Sequence, residues 1–155
     1  MTGEPIDPVE IVMHLWAAYA AKDHAAVVRL CADDIAYAIF IPQGILPFGG
    51  GETIGKGALS DRFQMITDQF YLVGYEGTIQ GVSQQTVRGQ VAYCFRHKAT
   101  GEVIEGVMRQ VFDIADGKIA RLHEFHDVER IRAFMRLVSH IAHNFSVPVA
   151  LLSFQ

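Results

Sequence analysis

Apolar side chains recur at helical spacing from Pro8 to Ala21, with Ile11, Leu15, Ala18 and Tyr19 on one face. Asp7 is placed to cap this helix, Pro8 suits its first position, and Glu10 puts a negative charge in the first turn. Lys22 and Asp23 interrupt the pattern. Asp23 then caps a second helix running to about Ala32, with Val27, Leu30 and Cys31 inward. Ile35 to Ile41 reads as a strand. A Gly/Pro-rich stretch, "PQGILPFGGGETIGKG" at 42–57, reads as an irregular loop beside a site or between layers. It lacks the GxxxxGK[ST] pattern, so its glycines are read as permitting a bend and not as cradling a phosphate.

A third helix is expected from Ala58 to about Phe70, with Leu59, Phe63, Ile66 and Phe70 on one side. The period then changes to two. Strands are expected at about 71–81, 84–97, 102–115 and 118–127. Gly101 and the Asp116–Gly117 pair mark tight turns between the last three. A helix from about Val128 to Asn144 and an apolar tail, "FSVPVALLSFQ", complete the chain. Helices and strands are segregated, which argues for an α+β class with helices on one face of a curved antiparallel sheet. At 155 residues the chain reads as a single domain, 1–155.

Composition narrows the function. Half of the residues are hydrophobic and only 19% are charged, which points to an internal cavity or an oligomer interface. The net charge of -4 and the scattered basic residues argue against nucleic acid. The densest basic group, Arg130, Arg132 and Arg136, fits a solvated helix face. Cys31 and Cys94 stand in no metal or redox spacing and read as free thiols in a reducing cytoplasm. No apolar leader or membrane span is read, so a cytoplasmic protein is expected.

The run "GKIARLHEFHD", 117–127, carries the candidate chemistry. Alternation puts Leu122, Glu124 and His126 on one face and Arg121, His123, Phe125 and Asp127 on the other. His123 and Glu124 therefore cannot share a metal ion, and neither a metal nor a cofactor is expected. Asp127, just before "VERIRAFM", reads as the cap of the last helix.

Three stretches together resemble the NTF2-like superfamily, in its SnoaL-like and ketosteroid-isomerase-like branch. They are "AAYAAKDHAAVVRLCADDIAYAIFIP", "TIGKGALSDRF" and "QVFDIADGKIARLHEFHD", covering most of residues 8–130. The resemblance implies a cone-shaped fold, a curved antiparallel sheet wrapped around helices with a central pocket. Ketosteroid isomerases use a helix Tyr, a strand Asp as base and a protonated Asp. These fall here on Leu15, Ile39 and Gln110, so ordinary ketosteroid isomerisation is not implied. In related epoxide hydrolases and phenazine-biosynthesis members an acid stands near the end of the last strand, here Glu124. SnoaL-type cyclases keep an essential Asp in the same region, to which Glu124 or Asp127 corresponds.

By this resemblance the Leu122 face lines the pocket, matched by Met108, Gln110 and Phe112 on the neighbouring strand. Trp16, Tyr19, Phe63, Tyr93, Phe95, Met108, Phe112 and Leu122 are expected to wall it, with Gln110 and Tyr37 as polar anchors. Gln110 would donate to a substrate carbonyl. A carboxylate drawn out of water is costly unless partnered, and a tuned one serves as general acid or base near neutral pH. Glu124 and His126, about 7 Å apart along a strand, are the expected catalytic pair. The implied function is cofactor-free proton transfer on a hydrophobic small molecule: isomerisation, dehydration or cyclisation. The alternative is a non-catalytic ligand-binding or dimerisation module. A homodimer through the outer sheet face is expected, with Val91, Val107 and Val111 on that face and the tail closing the mouth or crossing to the partner. No contact with membrane is expected.

Overall fold

A computed structural model of the chain describes residues 6–46 and 50–144. The apolar tail expected to act as a lid lies outside the described residues.

Helix α1 (Pro8–Ala20) begins as expected, with the Asp7 carboxylate accepting from the Val9 amide at 2.9 Å. Its buried side chains, Ile11, Val12, Leu15, Trp16 and Tyr19, make one stripe. Helix α2 (His24–Arg29) is capped by Asp23, which accepts from the Ala26 amide. It ends three residues short of the expected Ala32. Strand β1 (Cys31–Phe40) takes over there, because the Leu30 carbonyl accepts the Ile119 amide and Cys31 pairs with Ile119. Tertiary pairing overrides local helix preference.

Strand β2 (Gly51–Ile54) lies inside the stretch expected to be loop and pairs antiparallel with β1. Helix α3 (Lys56–Gln69) starts after Gly55, whose φ of 97° admits glycine readily. Strands β3 (Phe70–Ser83), β4 (Thr86–His97), β5 (Val103–Ala115) and β6 (Lys118–Phe125) form the meander, and helix α4 (Val128–Asn144) follows with the expected bounds. Asp116 and Gly117, at φ 51° and 73°, make the β5–β6 turn with both residues left-handed, as a tight hairpin of the I′ type needs. Asp127 caps α4, accepting the Arg130 amide at 3.2 Å.

The six strands run in the order β2-β1-β6-β5-β4-β3. Every pairing is antiparallel except β1 with β6, which is parallel. The sheet is therefore mixed, a refinement of the antiparallel reading. The core fills the space between the inner sheet face and the helices, with Val12, Val27, Val87, Phe112 and Ile119 almost fully enclosed. Val91 belongs to this core at 0% exposure and not to the outer face. It has the same strand parity as Tyr93, which also points inward. Val107 is half exposed and Val111 is partly buried. No helix among the described residues is long and apolar enough to cross a membrane.

Candidate functional site

The helices and the inner sheet face enclose a cavity of about 120 Å³. Aliphatic and aromatic side chains form most of its wall. Its polar groups are few: the tyrosines at 19, 37, 75 and 93, the Cys31 thiol, Gln110, Glu124 and His126. Such a site, apolar with a few convergent polar groups, is the usual form of a small-molecule pocket.

Register explains why the polar groups meet. Gln110 on β5 and Glu124 on β6 are directly opposite each other, and Ile39 on β1 is Glu124's partner on its other side. Directly paired residues share a face with side chains close enough to touch. Gln110 is 1% exposed and Glu124 is 7% exposed. The Gln110 amide nitrogen donates to Glu124 Oε2 at 2.8 Å.

His126 stands one residue beyond the end of β6. Freed from the strand's rise, its ring bends back until Nε2 lies 3.3 Å from Glu124 Oε1. The expected separation of about 7 Å along a strand is thus closed without a bridging water. A carboxylate only accepts, so this contact requires the proton on Nε2 and leaves Nδ1 as the acceptor of the neutral ring. Nδ1 is buried and has no hydrogen-bond partner among the described residues, on a ring that lines the cavity. The Tyr37 hydroxyl also stands near the Glu124 carboxylate. Both carboxylate oxygens are therefore engaged by protein, which offsets the cost of placing the charge there.

Burial holds the hydroxyls of Tyr19, Tyr37 and Tyr75 above the ordinary phenolic range, and the nearby Glu124 charge adds to it. They are neutral donors at physiological pH. The Cys31 thiol is pushed up to about 11 by burial and donates to the Val27 carbonyl, so it is a poor nucleophile.

Among the expected pocket residues, Tyr19, Tyr37, Phe63, Tyr93, Phe95, Met108, Gln110, Leu122, Glu124 and His126 line the cavity. Trp16 and Phe112 do not. They stack edge to face at 6.1 Å behind it, in the core. Trp16 fills the hollow over Gly77 and Gly89, where any Cβ would collide with its indole. The role expected for Gln110 is also corrected. Its carbonyl accepts the Trp16 indole N–H at 2.7 Å, and its amide faces Glu124 and, at 3.5 Å, the Tyr75 hydroxyl. It positions the carboxylate and has little left for a substrate carbonyl.

Tyr75 escaped the sequence reading. Phe70 and Leu72 share the inner face of β3, so simple alternation sends Tyr75 outward. A bulge between Leu72 and Gly74 shifts the register by one and turns Tyr75 inward. Among the described residues, no three His, Cys, Asp or Glu side chains are grouped to hold a metal ion.

Neither a family model nor a curated protein matches the chain. Solved structures do, over nearly their whole length. A proposed polyketide cyclase from Xanthomonas campestris superposes with a TM-score of 0.67 at 18% identity, covering 83% of this chain and 96% of that one. An NTF2-like protein from Burkholderia xenovorans superposes at 0.66 with 20% identity, covering 81% and 93%. The chain has the NTF2-like fold. A third structure of this kind, TerC crystallised with polyporic acid, superposes at 0.69 with 14% identity, covering 83% and 98%. Within the NTF2-like frame, the row that reads Ile39, Glu124, Gln110 across three strands has its carboxylate on the last strand. The Tyr and Asp positions implied by isomerase resemblance, Leu15 and Ile39, are apolar wall.

Proposed function

We propose that the chain is a small-molecule enzyme that moves a proton on a hydrophobic substrate, without a cofactor, in an isomerisation, dehydration or cyclisation. The observation that carries this reading is the Glu124–His126 pair at 3.3 Å in a mostly apolar cavity. Glu124 holds the imidazole in one orientation and one tautomer, and His126 Nδ1 takes or gives the substrate proton. The naming of solved structures of this fold as proposed polyketide cyclases and proposed isomerases supports the same class. That TerC was crystallised with polyporic acid supports an organic ligand in the cone.

The test is deuterium wash-in. Apolar cyclic ketones are incubated with the protein in heavy water and followed by proton NMR. The wild type is expected to accelerate exchange, and Glu124→Gln and His126→Gln to lower the rate by about a hundredfold or more. Ligands that bind without exchanging in any variant would favour the second reading, a non-catalytic binding module. That reading draws on Leu15 and Ile39, which leave the cavity without the isomerase tyrosine and base.

The partner proposed for the outer sheet face is a second copy of the chain. Support comes from Val103, Val107, Phe40 and Phe125, all more than two-fifths exposed. Phe40 and Phe125 stack with ring centroids 4.6 Å apart.

A further inference from the structure

Two hydroxyls of the cavity wall donate to no described residue. They belong to Tyr19, on α1, and Tyr75, on β3. The bulge that turns Tyr75 inward sets its ring centroid 4.6 Å from that of Tyr19. The Gln110 amide nitrogen donates to the Tyr75 oxygen at 3.5 Å. That nitrogen cannot accept, so the Tyr75 proton points away from Gln110. Among the described residues no group receives it, and the Tyr19 hydroxyl makes no hydrogen bond with any of them. Burial and the nearby Glu124 charge keep both hydroxyls protonated, so each remains a donor at neutral pH. Neither residue stands where the isomerase set falls, at Leu15, Ile39 and Gln110.

A donor shut away from water without an acceptor is costly, and a ligand that supplies the acceptor removes the cost. The protein's own acceptors nearby are engaged. Gln110 Oε1 takes the Trp16 indole proton, and the two Glu124 oxygens face Gln110 and His126. His126 Nδ1 is the converse case, an acceptor without a donor among the described residues. The two kinds of unpaired group are linked through short contacts. Gln110 Nε2 lies 3.5 Å from the Tyr75 hydroxyl and 2.8 Å from Glu124 Oε2, and Glu124 Oε1 lies 3.3 Å from His126 Nε2. The cavity thus asks its ligand for an oxygen that accepts and, close by, a proton that can be given up. A carbonyl with a hydrogen on its α carbon meets both needs. A carboxylate at the same place would be repelled by Glu124.

We propose that Tyr19 and Tyr75 clamp the carbonyl oxygen of the substrate between their hydroxyls, which makes that substrate a neutral, apolar, enolisable ketone or aldehyde. This rests on the reading of the cavity as a proton-transfer site. With the oxygen held there, the α carbon faces His126. Nδ1 takes the α proton, the C–H electron pair becomes the C=C bond of the enolate, and the carbonyl π pair moves onto the oxygen. The two hydroxyls then donate to an oxygen that carries negative charge, where such bonds are strongest. Return of the proton from Nδ1 to carbon completes the transfer.

Calorimetric titration of the full chain with 1-tetralone and with 1-methylenetetralin, which has CH2 in place of the oxygen, tests this at neutral pH. Wild type should bind the ketone at least about tenfold more tightly than the hydrocarbon, as two neutral hydrogen bonds allow. Tyr19→Phe and Tyr75→Phe should each weaken the ketone alone, and the double variant should bind the two probes equally. Should a Phe variant fail to fold, the infrared carbonyl band of carbon-13-labelled tetralone bound to wild type serves. It should lie at lower frequency than in hexane, and an unshifted band would overturn the clamp. Equal affinities in the wild type would overturn it while leaving the cavity reading intact. A ketone preference that survives in the double variant would also overturn it and assign the oxygen to another donor. If neither probe bound the wild type, the clamp would fall together with the cavity reading.

Discussion

The Trp16 indole N–H donates to Gln110 Oε1 at 2.7 Å, and this bond fixes which way round the Gln110 amide sits. An indole nitrogen can only donate. The Gln110 oxygen must therefore face Trp16, and its NH2 must face Glu124. The chain from Trp16 through Gln110 to Glu124 and His126 begins in the core and ends at the cavity.

Gln110→Leu leaves the Trp16 N–H and one Glu124 oxygen without partners in the core. The expected loss of stability is about 2–6 kcal/mol, since each of the two buried groups left unpaired costs about 1–3 kcal/mol. Urea unfolding followed by the emission of Trp16, the single tryptophan of the chain, measures it. A loss within the noise of the titration would show that the relay is not needed to hold the carboxylate.

Gly77 and Gly89 form the floor on which that indole lies. Gly77→Ala and Gly89→Ala each place a methyl group against the ring. Overpacking of this kind costs about 1–3 kcal/mol. The ring must also lift away from Gln110, so both variants should shift Trp16 emission as well as lower the unfolding midpoint. A stable Gly77→Ala protein with unchanged emission would contradict the placement.

Much of this site was legible in the sequence, and the parts that were not have physical reasons. Alternation sorted the side chains of β6 into two faces, the resemblance to the NTF2-like superfamily implied that the Leu122 face is the inward one, and the Asp116–Gly117 turn fixes the register with β5. Helix α4 was expected at its observed bounds, with Asp127 as its cap. The parallel pairing of β1 with β6 was not visible, because it joins segments some ninety residues apart and no local pattern encodes it. The same long-range pairing cut α2 short. Tyr75 was hidden by a bulge that reverses strand parity.

Alkaline titration should separate the tyrosines. Tyr19, Tyr37 and Tyr75 are raised, first by burial and then by Glu124. The folded protein therefore holds these phenolic protons more tightly than the unfolded chain, whose groups ionise near 10. Their contribution to stability is complete below about pH 10 and is lost as pH climbs above it. Tyrosinate absorbance and circular dichroism, recorded together, should show these three ionising only as the fold opens. Five tyrosines titrating together near pH 10 in an intact fold would contradict their burial.

Acid weakens the fold through His97 and His24. Burial lowers both below the ordinary imidazole value of about 6.5. The unfolded chain binds protons there that the folded one does not, so stability is full above about 6.5 and falls as pH drops below it. His97→Gln should flatten part of the decline in urea midpoint between neutral and mildly acid pH. An unchanged slope would assign the decline elsewhere.

Thiol reactivity reports on the cavity wall. Cys31 is 2% exposed, with its thiol pushed up to about 11, whereas Cys94 is partly exposed. A disulfide reagent should modify Cys94 quickly in the native state and Cys31 only at the rate of unfolding. Rapid modification of both would mean that the cavity opens freely to solvent.

The tautomer of His126 bears most directly on the proposed chemistry. Long-range proton–nitrogen NMR reads it, with the His126 signals identified by their loss in His126→Gln. The expected result is a proton on Nε2, a bare Nδ1, and loss of that bias in Glu124→Gln. A proton on Nδ1 in the wild type, or a tautomer indifferent to Glu124→Gln, would contradict the pairing on which the proton-transfer function rests.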